Sequence, residues 1–218
     1  MKIEKFSDEH YDFIVEIVNV GAGNAAGALS KLLDSRVEVK QPKVYFEPPH
    51  IVSKIIGEPS LSVACVKIAV IGDMFGDMFF ILPEKDKAVV IHLAEKSIIG
   101  KKKKGPLDIS ALSEIGNILA GTYLTAIHDF CRLRIYHSIP ELIIDMLQAV
   151  FDEYLSGVKG ISENFITVEN EFTIISDKGE VKSKTICFKM FLLFAPSVNS
   201  IRKLLDSFDE AKRTLKIG

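Results

Sequence analysis

No excess of charge marks this chain. Twenty-seven Lys and Arg oppose twenty-nine Asp and Glu, a formal net charge of −2, so no global field draws it to nucleic acid. Cysteine is scarce. The three residues, at 65, 131 and 187, have no metal-ligand spacing and stand in apolar surroundings, which points to buried free thiols in a reducing cytosol. Long apolar runs are missing too. The greasiest stretches, near Val63–Val70 and Ile186–Ala195, are broken by Lys67 and Lys189 and fall short of a membrane-spanning helix. The first ten residues, MKIEKFSDEH, carry no apolar signal region, and a cytoplasmic protein is expected. The histidines do not cluster and no HExxH occurs. His50, His92, His128 and His137 therefore read as surface or packing residues, and no cofactor or metal of its own is expected.

Two glycine-rich stretches and one basic run are decoys. GAGNAAG at 21–27 is spaced GxGxxxG and continues a helical period, so it is not a dinucleotide fingerprint. GDMFG at 72–76 lacks a phosphate-loop lysine and reads as a hairpin turn. Lys101–Lys104 reads as a solvated linker.

What is present is a pattern that occurs twice. Asp12, Glu16, Asn19 and Pro42 form the first copy, and Ser110, Glu114, Asn117 and Pro140 the second. Every member is displaced by 98 residues. Gly23 and Gly121 follow each Asn by four. The texts also agree, EIVNVGAGNAAGAL against EIGNILAGTYLTAI. Apolar residues at helical spacing predict helices over 8–33 and 107–130. The stripe is Ile14, Val18, Gly21, Ala25, Leu29 and Leu32 in the first, and Leu112, Gly116, Leu119, Tyr123 and Ile127 in the second. The opposite face of each carries the Glu, the Asn and the following Gly. Asp108 or Ser110 is a candidate cap for the second helix.

Each half then reads as strand, short helix, two long strands and a closing helix. In the first half these are Arg36–Tyr45, His50–Ile56, Leu61–Ile71, Gly76–Leu82 and Glu84–Ile98. In the second they are Arg132–His137, Glu141–Leu155, about Ile161–Ile175, Val181–Phe194 and Ser197–Phe208, with the long strands joined at SDKG. The expected fold is α/β, with internal duplication and pseudo-two-fold symmetry. A largely antiparallel sheet packs with two long equivalent helices. Three strands per half cannot bury their own helices, so one domain over 1–218 is expected, from halves at about 8–99 and 106–213.

Glu and Asn three apart on a helix are neighbours, about 5–6 Å between Cβ atoms. No Ser, Cys or His accompanies both copies, so covalent catalysis is unsupported. A carboxamide beside a carboxylate is suited to aiming a water. It acts on a phosphate only where another protein brings the cation. Glycine inside a helix costs about 1 kcal/mol against alanine, so Gly23 and Gly121 call for close approach of another surface.

On these residues the chain resembles the CheC phosphatase family of chemotaxis, which includes CheX and the phosphatase part of FliY. The family signature is Asp or Ser, three residues, Glu, two residues, Asn, twenty-two residues, Pro, and this sequence fits it twice without a gap. The resemblance implies hydrolysis of the phospho-aspartate of the response regulator CheY. Asn19 and Asn117 would orient the attacking water, and Glu16 and Glu114 would contact the regulator's lysine. The divalent metal, Mg, would belong to CheY. Asp12, Gly23, Ser110 and Gly121 would lie against the partner. The receptor deamidase CheD is a further implied partner. The rival expectation is a noncatalytic CheY- or CheD-binding adaptor or a flagellar-switch-like module.

Overall fold

Ser7 starts the first helix. Its hydroxyl accepts from the His10 amide at 3.2 Å, and its own amide donates to His10 Nδ1 at 3.3 Å, a reciprocal cap. From there the computed structural model describes residues 7–98, 107–157, 163–176 and 184–216. The elements in order are α1 (Asp8–Leu33), β1 (Arg36–Val39), β2 (Lys43–Glu47), α2 (Pro49–Ile56), β3 (Ser62–Gly72), β4 (Gly76–Pro83) and α3 (Glu84–Ile98). There follow α4 (Leu107–Cys131), β5 (Ile135–His137), β6 (Glu141–Met146), α5 (Leu147–Gly157), β7 (Phe165–Ser176), β8 (Lys184–Pro196) and α6 (Val198–Lys216). The second seven elements repeat the first seven in type and order.

The eight strands form one sheet, in which every pairing is antiparallel. The order is β1-β7-β8-β4-β3-β5, with β2 also on β7 and β6 also on β3. Exchange each strand for its repeat counterpart and the order reads the same. The pseudo-two-fold passes between β4 and β8. The short strands cross over: β1 and β2 of the first half lie on β7 of the second, and β5 and β6 lie on β3 of the first.

Period-two alternation sends the two faces of the sheet into two cores. On β3, Ala64, Val66, Ile68 and Val70 join the larger core under α1 and α4. Val63 and Cys65 join the smaller core, which α2 and α5 cover with Val52, Ile56, Leu147, Val150, Phe151 and Tyr154. By length and composition α1 is apolar enough to cross a membrane, yet Ile14, Ile17, Val18, Ala22, Ala25 and Leu29 are buried in the larger core.

Several expectations are corrected. Each half contributes four strands, not three, because the segment at 36–45 divides. Residues 40–42 lie outside strand, and β2 begins directly after Pro42. The counterpart break falls ahead of β6, directly after Pro140. Proline has no N–H for a ladder and is tolerated at a strand start. Glu141–Met146, expected as helix, is therefore strand. Leu142, Ile143 and Ile144 sit opposite Val66, Cys65 and Ala64 of β3, and the helix is confined to Leu147–Gly157. The closing helix α6 runs on to Lys216, past the expected Phe208. Asp108 and Ser110 lie within α4 rather than ahead of it. Cys65 and Cys131 are buried, but Cys187 is exposed. It lies on β8 opposite Thr173 of β7, beyond the cover of the helices. The SDKG joint, apart from Ser176, and the run Lys101–Lys104 lie outside the described residues.

Candidate functional site

The two repeated helices pack side by side and antiparallel. Phe13 of α1 meets Phe130 of α4, Gly21 lies under Tyr123, and Ile118 lies beside Gly27 and Leu32. Gly21 allows this approach. A Cβ built on it would stand 2.5 Å from Tyr123 Cδ1. Tyr123 is itself fixed, since it is buried and its hydroxyl donates to Asn170 Oδ1 at 2.9 Å. Burial moves that phenol well above its usual value of 10.0, against a smaller opposing effect of the Asn170 contact. The Tyr123–Asn170 bond anchors α4 to the middle of β7.

With their apolar stripes against the sheet and each other, α1 and α4 turn the Glu–Asn faces outward. Glu16 and Glu114 are exposed, and Asn19 and Asn117 are half-buried, so both copies have the same pattern. None of these four side chains makes a hydrogen bond or ion pair among the described residues. Gly23 is exposed and Gly121 half-buried, and a Cβ on either would meet nothing within 4 Å. Nothing among the described residues therefore needs glycine there. Asp12 is exposed on the same face of α1. Ser110 holds the equivalent place on α4, and its side chain lies outside those described. Because the helices are antiparallel, the pairs are not brought together. With Gly21 level with Tyr123, Asn19 and Asn117 are offset by roughly 12 Å along the helix axes, at 1.5 Å of rise per residue. The site is two separate copies of one constellation on one continuous face.

The segment GAGNAAG is helical throughout, in the middle of α1, with no strand-to-helix turn that could cradle a phosphate. Among the described residues, no three His, Cys, Asp or Glu side chains are grouped to hold a metal. The helices also end alike. Asp34 and Arg132, 98 residues apart, are both left-handed, with φ of 45° and 58°. The Arg132 amide donates to His128 O at 2.7 Å.

Sequence reasoning set aside one part of the second copy. Gly121, Leu124, Thr125 and His128 of α4 form a groove with Ile135, Tyr136 and His137 of β5. A signal existed in the repeat: Tyr136 falls where the first half has Glu38, and an exposed aromatic in place of an acid is a change that packing does not require.

Comparison with known proteins agrees with this fold. The sequence model of the CheC-like family matches residues 107–144, a span that contains Glu114, Asn117, Gly121 and Pro140. The X-ray structure of Thermotoga maritima FliY has the same fold, with a TM-score of 0.70 at 21% identity over 95% of this chain and 99% of that one. The flagellar motor switch phosphatase FliY of Bacillus subtilis is 24% identical over 96% of this chain, which spans 53% of that relative. The CheY-P phosphatase CheC of Bacillus subtilis is 32% identical over 204 residues, 90% of this chain and 92% of that protein. With two gapless Glu–Asn copies on equivalent helices and this degree of identity over nearly its whole length, the chain belongs to the CheC-like family.

Proposed function

We propose that this chain is a cytoplasmic protein phosphatase that hydrolyses the aspartyl phosphate of the chemotaxis regulator CheY. The observation that carries the reading is the uncommitted Glu–Asn pair, presented twice from equivalent turns of α1 and α4 with an open glycine one turn on. The CheY-P phosphatase activity of the Bacillus subtilis relative supports it.

Docked on one helix, the regulator brings the phospho-aspartate and the cation. The carboxamide of Asn19 or Asn117 accepts from a water and donates to a neighbouring oxygen, which holds the water in line with the scissile bond. The water oxygen bonds to phosphorus and the bond from phosphorus to the aspartyl oxygen breaks. Phosphate leaves as dihydrogen phosphate with both protons of the water, and the carboxylate is restored. Little covalent chemistry falls to the protein in such a step, so the gain is in position. Glu16 or Glu114 pairs with the regulator's lysine and fixes the register of docking. A half-buried Asn beside an exposed Glu suits this division, since the water-aiming group is the better held of the two. CheD is a second partner in this reading.

The decay of phospho-CheY with catalytic amounts of the protein tests it. Asn19→Ala with Asn117→Ala should abolish acceleration, with a stability change under about 0.5 kcal/mol, the usual range for surface substitutions. Each single variant should retain activity through the intact copy. Small phosphate esters should not be turned over. Undiminished activity in a folded double variant would eliminate the mechanism. Tight binding of CheY by the wild type without faster decay would mark an adaptor.

A further inference from the structure

The two Glu–Asn copies have different surroundings on the β side. At the C-terminal end of α1, Ser30 ties the helix to the adjacent strand. Its Oγ accepts from the Val37 amide at 2.9 Å and donates to Ala26 O at 2.8 Å. Its counterpart on α4 is His128, which reaches the loop rather than the strand: Nδ1–H donates to Leu133 O at 2.8 Å. Between α4 and β5 lies the groove that begins at Gly121 and is walled by His128, Tyr136 and His137. The His137 Nδ1–H donates to Ser138 O at 3.0 Å. In the neutral rings, both Nε2 atoms are therefore acceptors without a partner among the described residues. Tyr136 is 63% exposed. Its repeat counterpart is Glu38, ion-paired with Arg36 at 2.5 Å, and the counterpart of His137 is Val39. One edge thus offers a ring and two imidazole acceptors where the other offers a charged pair and an aliphatic side chain.

We propose that this groove is a specificity subsite of the second copy, and that it holds the same phosphorylated protein whose phospho-aspartate sits at Asn117. The inference rests on the function proposed above. Its geometric basis is reach. A standard interface covers about 800 Å² on each partner, a disc of roughly 16 Å radius. Gly121 lies about 6 Å along α4 from Asn117 and His128 about 16 Å, at 1.5 Å per residue. A folded protein engaged at Asn117 therefore reaches the groove, with His128 at the margin of that disc. Exposed aromatic rings with a polar end are frequent anchors in such interfaces. Tyr136 supplies the ring, and the Nε2 atoms of His128 and His137 accept from donors on the partner. A regulator docked at Asn19 is centred instead on the edge that carries Arg36 and Glu38, with the width of α4 between it and Tyr136. The second copy consequently holds it more tightly, without any difference in how the water is aimed.

Steady-state hydrolysis of phospho-CheY, copy by copy, tests this. In the Asn19→Ala background, where only the second copy works, Tyr136→Ala should raise KM about tenfold and leave kcat within about twofold, as for loss of an interface anchor. Tyr136→Phe, which keeps the ring, should recover most of the affinity. In the Asn117→Ala background the same Tyr136→Ala change should give a KM ratio near one. Thermal melts confirm that each variant is folded. An unchanged KM in the Asn19→Ala background overturns the subsite, and so does an equal rise in both backgrounds. Activity that survives loss of both Asn residues refutes the phosphatase reading itself, a result separate from either of these.

Discussion

Gly21 and Gly23 stand two residues apart on one helix and have opposite reasons to be glycine. Gly21 faces the neighbouring helix, and a methyl there would strike a ring that cannot retreat, because Tyr123 is buried and bonded to Asn170. Gly21→Ala is expected to cost about 1–3 kcal/mol, the range for overpacking a tight contact. Gly23 faces open space. Gly23→Ala is expected to stabilise the fold by about 1 kcal/mol through helix propensity alone. It should still impair hydrolysis in the Asn117→Ala background, because the regulator's surface then meets a methyl. Urea denaturation reads the first two effects and phospho-CheY decay the third. A stabilised Gly23→Ala with full activity would mean that nothing approaches this turn. The sequence pattern alone could not separate these glycines by cause. Period placed them on different faces, but only the position of Tyr123 shows that the first contact lies within the chain.

At the scale of elements, the polar edge formed by β1, β2, β7 and β8 has its own electrostatics. Glu169 accepts from Lys189 at 2.7 Å, from the Tyr45 hydroxyl at 3.2 Å and from Lys43 at 3.4 Å. Burial by itself raises the Glu169 carboxyl, but the bond and charge of Lys189, with Lys43 and Tyr45, outweigh it and hold it below the usual 4.5. The sign follows. The unfolded chain takes up this proton first as the pH falls, so the stabilisation is present above about 4.5 and is lost below it as the pH falls through the folded value. Urea midpoints from pH 7 to pH 3 should show this acid limb, and Glu169→Gln should flatten it. A limb unchanged by that substitution would assign the acid sensitivity to other carboxylates. This cluster was not legible in sequence, since Lys43, Glu169 and Lys189 meet only through the pairing of β2 with β7 and of β7 with β8. The β6 correction has the same origin. Glu141–Met146 has apolar residues that suit either a helix or a strand, and β3 lies alongside to pair with it.

For the whole molecule, the crossing of short strands makes each half depend on the other. Residues 7–98 taken alone leave β1 and β2 without β7, and β3 without β5 and β6. The larger core also needs α1 and α4 together. Two polypeptides divided between residues 99 and 106 are expected to be unfolded separately and to regain the native fold and phosphatase activity when mixed. Circular dichroism and phospho-CheY decay follow this. A half that folds cooperatively by itself would contradict the mutual dependence.

By itself the sequence determined the duplication, the two long helices, which of their faces is buried, and the four side chains presented on the other. These follow from period and spacing, local properties that each helix carries along its own length. The CheC-like signature was readable for the same reason, because Glu and Asn three apart share a face wherever the helix is placed. Only the tertiary structure decided that the short strands cross to the opposite half, that Cys187 is exposed while Cys65 is buried, that the two Glu–Asn copies stand apart on antiparallel helices, and that Tyr136 and His137 join the second of them. Each of these depends on pairings between residues distant in the chain, which are fixed when two hydrophobic faces and their backbone ladders are buried together.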